Sequence, residues 1–284
     1  MILNLPGLVY ALSLILAANH DLRAREARPL TPLLSLGLTQ ADMLWELVEK
    51  LITWLNPFDQ PRFDKRNPVH RAACLLVTAQ MVWSIWLLLS SGSEADRNFF
   101  APDVEGILLN VVAAAMIYGA LSALGTGWGL RRDLAGVLQR LGLRLPTLRD
   151  WLAGLFLGIL IFGSMSLAVS VLPSTAAADQ AGAHPLFNIV KSSLPAALLV
   201  AILAGTGEEI FFRGALQPVF GLYVSSLLFA LSHTHYGLTP EMLILFLVSI
   251  GFGLARKRFN TTAAIIAHAT YNFAPFLILR FLPV

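Results

Sequence analysis

Apolar residues are concentrated in eight runs that alternate with polar segments along the chain. Each run approaches the length of about 20 residues that an α-helix needs to cross a bilayer. The runs lie near residues 3–19, 72–90, 106–125, 151–172, 188–206, 219–237, 241–255 and 261–282. The pattern therefore predicts an all-α polytopic membrane protein with about eight transmembrane helices.

The polar segment between the first two runs has a different periodicity. Within residues 39–56, aliphatic residues recur at helical spacing and charged residues occupy the opposite side. The aliphatic residues are Leu44, Leu47, Val48, Leu51 and Leu55, and the charged ones are Asp42, Glu46, Glu49 and Lys50. Helices of this kind lie along a membrane surface. We predict an amphipathic surface helix on the cytoplasmic side, with a partner-binding helix as the alternative.

The composition supports a membrane protein. Of the 284 residues, 56% are hydrophobic and 13% are charged, whereas soluble domains have about 25% charged residues. The mean hydropathy is +0.69. The single cysteine, Cys74, lies within an apolar run, which excludes a disulfide framework and a zinc site built from several cysteines.

Basic residues are distributed unevenly between the loops. Three connections are rich in Arg and Lys, and three others hold at most one basic residue each. The basic connections are 20–71, 126–150 and 256–258, and the others are 91–105, 173–187 and 237–240. Since cytoplasmic loops carry the basic excess, we predict a multi-pass inner-membrane protein with both termini outside. The net charge of +3 then needs no nucleic-acid partner. Retention of the first run and its removal as a signal peptide both stay open.

Ionisable and amide side chains occur among the last four runs. A charged residue inside a span costs about 2.5 to 3.5 kcal/mol on insertion, and is a functional candidate for that reason. The set consists of Glu208, Glu209, Arg213, His233, His268 and Asn272.

Helical spacing separates these residues into groups. Glu209 and Arg213 are four residues apart and can form an ion pair on one face, whereas Glu208 points about 100° away. His268 and Asn272 also share a face. A rise of about 1.5 Å per residue places Glu208, His233, His268 and Asn272 at depths of about 14, 20, 12 and 18 Å. These similar depths predict one shared site.

The residue types in this site suit hydrolysis of an amide by an activated water. A buried carboxylate can take a proton from water near neutral pH, and an imidazole can pass a proton to the leaving amine. A second imidazole with an amide can stabilise an oxyanion. The glycines at 205, 207 and 214 allow close packing of helices around the acidic pair.

Three motifs resemble those of one known family. Glu208-Glu209-x-x-x-Arg213-Gly214, Phe229-x-x-x-His233 and His268-x-x-x-Asn272 occur in this order and resemble the CPBP family of intramembrane peptidases, which includes the type II CAAX prenyl proteases. The resemblance covers residues 140–282. It implies that Glu208 and His233 activate water, that His268 and Asn272 form the oxyanion site, and that Glu209 and Arg213 support them.

The resemblance also implies a domain organisation and a class of substrate. Residues 140–284 would form the catalytic helical core. The resemblance does not extend to residues 1–110, and the apolar runs alone predict that residues 1–125 form the N-terminal spans of the same membrane domain. The substrate would be a membrane-anchored or hydrophobic-tailed peptide or protein, cut near its C-terminus by a glutamic peptidase that needs no cofactor.

Two alternatives remain beside this interpretation. Glu208, His233 and His268 form a carboxylate and imidazole set of the kind that binds hydrolytic zinc, although no His-Glu-x-x-His sequence is present and acidic partners for the histidines are not evident. The second alternative is a membrane protein that binds peptides or confers immunity without catalysis.

Overall fold

The computed structural model of the protein describes five continuous parts of the chain and scattered positions between residues 70 and 82. The continuous parts are residues 32–67, 104–129, 131–171, 193–233 and 240–281. Every regular element in these parts is a helix, which confirms the predicted all-α class. The elements are α1 (Pro32–Trp54), α2 (Val104–Gly125), α3 (Leu134–Leu141), α4 (Leu148–Val171), α5 (Leu194–Glu209), a π-helix (Ile210–Leu216), α6 (Gln217–Phe220), α7 (Leu222–Ser232), α8 (Pro240–Arg258) and α9 (Thr261–Phe281).

Three described segments are long and apolar enough to cross a membrane, as expected of a membrane protein. They are Leu108–Gly125, Leu148–Ala168 and Leu194–Phe220. The first two match the predicted runs 106–125 and 151–172. The third extends well beyond the run at 188–206, because the helix continues through the acidic pair into the π-helix and α6.

The count of eight spans is not confirmed. The run at 219–237 is interrupted at Gly221, whose φ of +84° separates α6 from α7, and α7 has only 11 residues. α8 and α9 form where 241–255 and 261–282 predicted helices, but neither is among the membrane-capable segments of the described chain. The run at 3–19 and most of that at 72–90 lie outside the described residues.

Small residues allow α4 and α9 to pack closely. Gly154 and Gly158 lie one turn apart on α4, as in a Gly-x-x-x-Gly motif. A Cβ on Gly154 would lie 2.6 Å from the Cβ of Ile266, and one on Gly158 would lie 2.5 Å from the carbonyl oxygen of Ala267. A larger residue at either position would push α9, and with it His268, away from α4.

A buried carboxylate holds the first turns of α4 and α9 together. Asp150 is fully buried and accepts hydrogen bonds from Nη2 of Arg144 at 2.9 Å and from Nδ2 of Asn260 at 2.6 Å. Thr147 donates to the same carboxylate through its backbone N–H at 2.8 Å. Arg144 and Asn260 therefore help to fix the position of the helix that carries His268.

α1 lies on the protein surface, as predicted for residues 39–56. One side of this helix packs on the core through Trp45, Val48 and Ile52. The side chains of Leu44, Leu47 and Leu51 are 58%, 63% and 50% exposed. Val48 therefore faces the protein. The exposed leucines form an aliphatic face that could contact a membrane surface, as the prediction of a surface helix requires.

The loop after α1 caps the N-terminus of α7. Asn56 is buried, donates to the carbonyl of Phe220 at 2.9 Å and accepts from the N–H of Tyr223 at 3.0 Å. Asp59 accepts from the N–H of Leu222 at 2.7 Å. The first N–H groups of a helix have no partner within that helix and favour a negative charge. A segment from the N-terminal region thus stabilises α7, the helix that His233 directly follows.

We expect Asp59→Asn to destabilise the protein by about 1–2 kcal/mol at pH 7, measured by thermal unfolding in detergent. Burial raises the pKa of Asp59, but hydrogen bonds from Lys257, Leu222 and Gln60 outweigh burial and bring this pKa below its ordinary value of 3.8. The ionised form is therefore favoured in the folded state. Its stabilisation is complete above 3.8 and is lost as the pH falls through the lowered pKa.

The control for this substitution is Asp64→Asn, because Asp64 is exposed and its carboxylate accepts from the N–H of Arg66 in its own turn. The free energy of unfolding of this variant should fall by less than about 0.5 kcal/mol, both at pH 7 and below pH 3. A stability difference between Asp59→Asn and the wild-type protein that persists undiminished well below pH 3 would contradict the proposed role of the charge.

Candidate active site

Close helix packing surrounds the acidic pair at the end of α5. A Cβ on Gly205 would lie 3.1 Å from the backbone nitrogen of Ala269 in α9, and one on Gly207 would lie 2.6 Å from the Cα of Ala115 in α2. A Cβ on Gly214 would lie 3.0 Å from the carbonyl oxygen of Leu141. The prediction that these glycines permit close packing is confirmed. The close approach at Gly205 places α9 directly beside Glu208 and Glu209.

The predicted ion pair between Glu209 and Arg213 is present and fully buried. Nε of Arg213 donates to Oε2 of Glu209 at 3.0 Å, and both side chains have no exposed surface. Nη2 of Arg213 donates to the hydroxyl of Ser249 in α8 at 2.6 Å. The guanidinium also lies 5.4 Å from the ring centre of Phe229. The pair therefore connects three helices within the interior of the protein.

His268 has a partner that the sequence did not predict. Its Nδ1 lies 2.9 Å from Oε1 of Glu209, so one carboxylate binds both Arg213 and His268. The His268 ring stacks on Phe252 with the ring centres 4.5 Å apart. Because an ionised Glu209 can only accept, Nδ1 carries the hydrogen and Nε2 is the nitrogen that remains for a ligand. The expectation that the histidines have no acidic partner is wrong for His268.

Glu208 points to a different neighbour, as its helical position predicts. Oε2 of Glu208 lies 3.9 Å from Nε2 of His233, and each side chain is 21% exposed. Oε2 is itself shielded and has no hydrogen-bond partner within the described residues. The two glutamates therefore have different environments: one is neutralised in the interior, and the other has an unused carboxylate oxygen beside an imidazole.

The position of His233 depends on the end of α7. The backbone N–H of His233 bonds to the carbonyl of Ala230, and the residue has φ −97° and ψ 54°. Its Nδ1 lies 2.8 Å from the carbonyl oxygen of Phe229. A carbonyl can only accept, so Nδ1 carries the hydrogen. In the neutral ring, Nε2 is then a hydrogen-bond acceptor and faces Glu208.

The Phe229 ring lies between the two histidines. Its centre is 4.7 Å from that of His233 and 5.8 Å from that of His268. Asn272 is partly buried one turn after His268, and its side chain makes no hydrogen bond to a described residue. The structure thus brings Glu208 to His233 and Glu209 to His268 around one aromatic ring, and it leaves the Asn272 amide unengaged by the described chain.

A π-helix follows the acidic pair, which the sequence did not predict. The N–H of Gln217 bonds to the carbonyl of Phe212, five residues earlier, and the next residue, Pro218, has no N–H to donate. In an α-helix the carbonyl of Arg213 would accept from the N–H of Gln217, which binds Phe212 instead, and that of Gly214 would accept from residue 218, where no N–H is present. Side chains of two distant arginines donate to them instead: Arg256 to Arg213 at 3.0 Å, and Arg140 to Gly214 at 3.1 Å. Single-turn π-helices often occur at functional sites.

Ser249 is a site-supporting residue that the sequence analysis missed. It is fully buried and binds Arg213, but its only signal in the sequence is a single hydroxyl inside the apolar run at 241–255. No periodicity identifies such a residue, because the contact depends on how α8 packs against the π-helix.

The residues proposed for the zinc alternative meet one requirement of a metal site but not another. Nδ1 of each histidine is held by an acceptor, which is the usual second-shell arrangement of a metal-binding histidine. However, within the described part of the chain no three His, Cys, Asp or Glu side chains come together in a group that could hold a metal ion. Glu208 and His233 meet, whereas His268 is directed to Glu209. The described geometry does not fit a three-residue zinc site.

Comparison with known proteins agrees with the motifs. Residues 190–274 match the family described as Type II CAAX prenyl endopeptidase Rce1-like, so the predicted relationship to this family is confirmed for that segment, which contains every predicted site residue. The match supports a protease role and a membrane location. A relative in Bacillus subtilis (strain 168), the uncharacterized protein YpbD, is 37% identical over 62 residues, or 22% of this chain and 32% of that protein. The chain thus matches about a third of the length of this relative. No solved structure matches the chain.

Proposed function

We propose that the protein is an intramembrane endopeptidase in which Glu208 and His233 activate the attacking water. The observation that carries this proposal is the gap of 3.9 Å between Oε2 of Glu208 and Nε2 of His233. This gap is too long for a direct hydrogen bond. A water that donates to the carboxylate and to Nε2 at about 2.8 Å fits this separation.

The two residues supply the proton transfers of amide hydrolysis. As the water oxygen attacks the peptide carbonyl carbon, its proton moves to the carboxylate of Glu208. The proton on Glu208 then moves to Nε2 of His233 and from there to the leaving nitrogen as the C–N bond breaks, which returns both side chains to their starting states. The carbonyl of Phe229, which holds Nδ1 of His233, fixes the tautomer that this transfer requires.

His268 and Asn272 are proposed to stabilise the oxyanion of the tetrahedral intermediate. The Asn272 side-chain amide can donate directly. Nε2 of His268 can donate only when the ring is doubly protonated, with Nδ1 still bonded to Glu209. Glu209 and Arg213 act as positioning residues, because Glu209 holds His268 and Arg213 holds Glu209.

The proposed substrate is a membrane-anchored or hydrophobic-tailed peptide or protein that is cut near its C-terminus at the inner membrane. CAAX-type processing, removal of a C-terminal sorting tag and peptide maturation all fit this description. Glu208, Glu209 and Arg213 lie on the membrane-capable segment Leu194–Phe220, so a substrate that is itself held in the bilayer would reach them without leaving the lipid. Non-catalytic peptide binding is the second candidate, and the tests below distinguish it from proteolysis.

Terminal proteomics tests the proposal directly. Membranes from cells that produce the wild-type protein should contain C-terminal fragments, with new N-termini, that are absent when the cells produce Glu208→Ala at the same level. A non-catalytic binding protein would enrich the same uncut peptides in both samples. Identical terminal peptides in the two samples, with the protein correctly inserted, would contradict a protease function.

Treatment with chelators distinguishes the water-activation mechanism from its zinc-dependent alternative. We expect cleavage by the purified protein to be unchanged within about twofold after dialysis against EDTA and 1,10-phenanthroline, because the described residues do not converge on a three-ligand site. Metal analysis of the same sample should find less than one zinc per chain. Loss of activity that returns with added Zn²⁺ would support the alternative instead.

A further inference from the structure

A cleft with a strongly basic lining lies outside the proposed active site, on the side of the protein that the loop charges assign to the cytoplasm. Its volume is about 410 Å³, within the range of small-molecule sites. The loop after α1, α3, α6 and the last turn of α8 form its walls. The polar side chains that the argument uses are Asp59, Arg62, Gln139, Arg140, Arg256 and Lys257.

The cations of this cleft exceed its anions by three. Asp59 is the single carboxylate in the lining, and Nζ of Lys257 already binds it at 2.8 Å. Arg62, Arg140 and Arg256 form no ion pair with any described residue. Burial lowers the pKa of Arg140 to about 10, and the positive charges of Arg256, Arg132 and Arg62 add to this effect. The cleft therefore holds mutually repelling cations that have no counter-charge among the described residues.

The backbone of the π-helix holds two of these guanidinium groups in place. Nε of Arg256 donates to the carbonyl of Arg213, and Nη1 of Arg140 donates to the carbonyl of Gly214. Both carbonyls lack an α-helical partner, because the N–H of Gln217 binds Phe212 and Pro218 has no N–H. Each guanidinium has five N–H donors, so several on each arginine remain for a ligand. Since the groups are already positioned, an anion would bind without ordering them first.

We propose that this cleft binds a phosphate group at the membrane surface. Three guanidinium groups match the several acceptor oxygens and the charge of a phosphate better than the single charge of a carboxylate. Basic pockets between helices on the cytoplasmic side bind anionic lipid headgroups, and soluble phosphate compounds present the same chemistry. The site is separate from Glu208 and His233, and the proposal stands whether or not the protein cleaves peptides.

Direct binding to the purified full-length protein tests the proposal. The protein in neutral detergent is titrated with dioleoyl phosphatidic acid in mixed micelles, with phosphatidylcholine of the same chains, and with sodium phosphate. Bound lipid is counted by native mass spectrometry, and bound phosphate is measured by calorimetry. We expect saturable binding of one phosphatidic acid per chain and much weaker binding of phosphatidylcholine. Competition by millimolar phosphate would identify soluble phosphate as an equivalent ligand, and its absence would identify the lipid headgroup; either result supports the phosphate site.

Two variants change the cleft without removing a hydrogen bond that the fold uses. Arg62→Gln removes one exposed cation, and Gln139→Glu introduces a carboxylate on the exposed lining of α3. Each should weaken binding about fivefold or more. Arg66→Gln is the matched control, because Arg66 is exposed in the same loop but does not line the cleft. If neither phosphatidic acid nor phosphate binds saturably, or if Arg62→Gln and Arg66→Gln weaken binding equally, the proposal is wrong.

Discussion

Replacement of Glu208 by Gln is expected to lower peptide cleavage about a thousandfold while the thermal stability of the protein stays the same. Gln cannot take the proton of the attacking water, although it has nearly the same shape as Glu. The folded state loses no hydrogen bond at Oε2 of Glu208, because this oxygen has no hydrogen-bond partner among the described residues. Turnover is measured with a substrate from the proteomic comparison, and unfolding is followed by circular dichroism in detergent.

The comparison variant for this experiment is His233→Gln, which removes the other group that would contact the water. It should reduce turnover by about two orders of magnitude or more, and the double variant should lose little beyond Glu208→Gln alone, because both residues act on one water. Full turnover by Glu208→Gln would exclude Glu208 as the general base. A large drop in the melting temperature of this variant would instead indicate a structural role.

The adjacent substitution, Glu209→Gln, is expected to destabilise the protein by about 3–5 kcal/mol. Glu209 and Arg213 have no exposed surface, so loss of the carboxylate leaves the Arg213 cation buried without a counter-charge. The same change weakens the contact of Glu209 with Nδ1 of His268. The measurement is again thermal unfolding in detergent, beside Glu208→Gln as a chemically identical change one residue away.

A second substitution tests whether the buried cation causes this loss. In the double variant Glu209→Gln/Arg213→Met, no uncompensated charge remains, so much of the stability should return. Activity should stay low, because His268 still lacks the carboxylate that positions it. If Glu209→Gln is as stable as the wild-type protein, or if the double variant is less stable than either single variant, the ion pair does not have the proposed role.

The spacing of polar residues within apolar runs was sufficient to predict several contacts of the two glutamates. The pairing of Glu209 with Arg213 and the separate orientation of Glu208 follow from the local geometry of one helix, which a sequence reports directly. The meeting of Glu208 and His233 was also predicted, from their depth along neighbouring helices. Each of these predictions depends on distances measured along a helix axis.

Contacts that depend on the rotation and offset of neighbouring helices could not be predicted. The contact of His268 with Glu209 depends on how α9 packs against α5, and the contact of Ser249 with Arg213 depends on α8 in the same way. The π-helix was also missed, because α-helical spacing was assumed beyond Glu209. The interruption at Gly221 was also missed, since hydropathy averages over a break in a helix.

The sequence by itself determined that this is a helical membrane protein with an ionisable set characteristic of a peptidase family, because apolar length and i, i+4 spacing are local properties of the chain. Tertiary structure decided that Glu209 binds His268 as well as Arg213. It also decided that the loop after α1 caps α7, and that Arg140 and Arg256 reach the π-helix. These outcomes arise between residues far apart in the chain, and packing of whole helices fixes them.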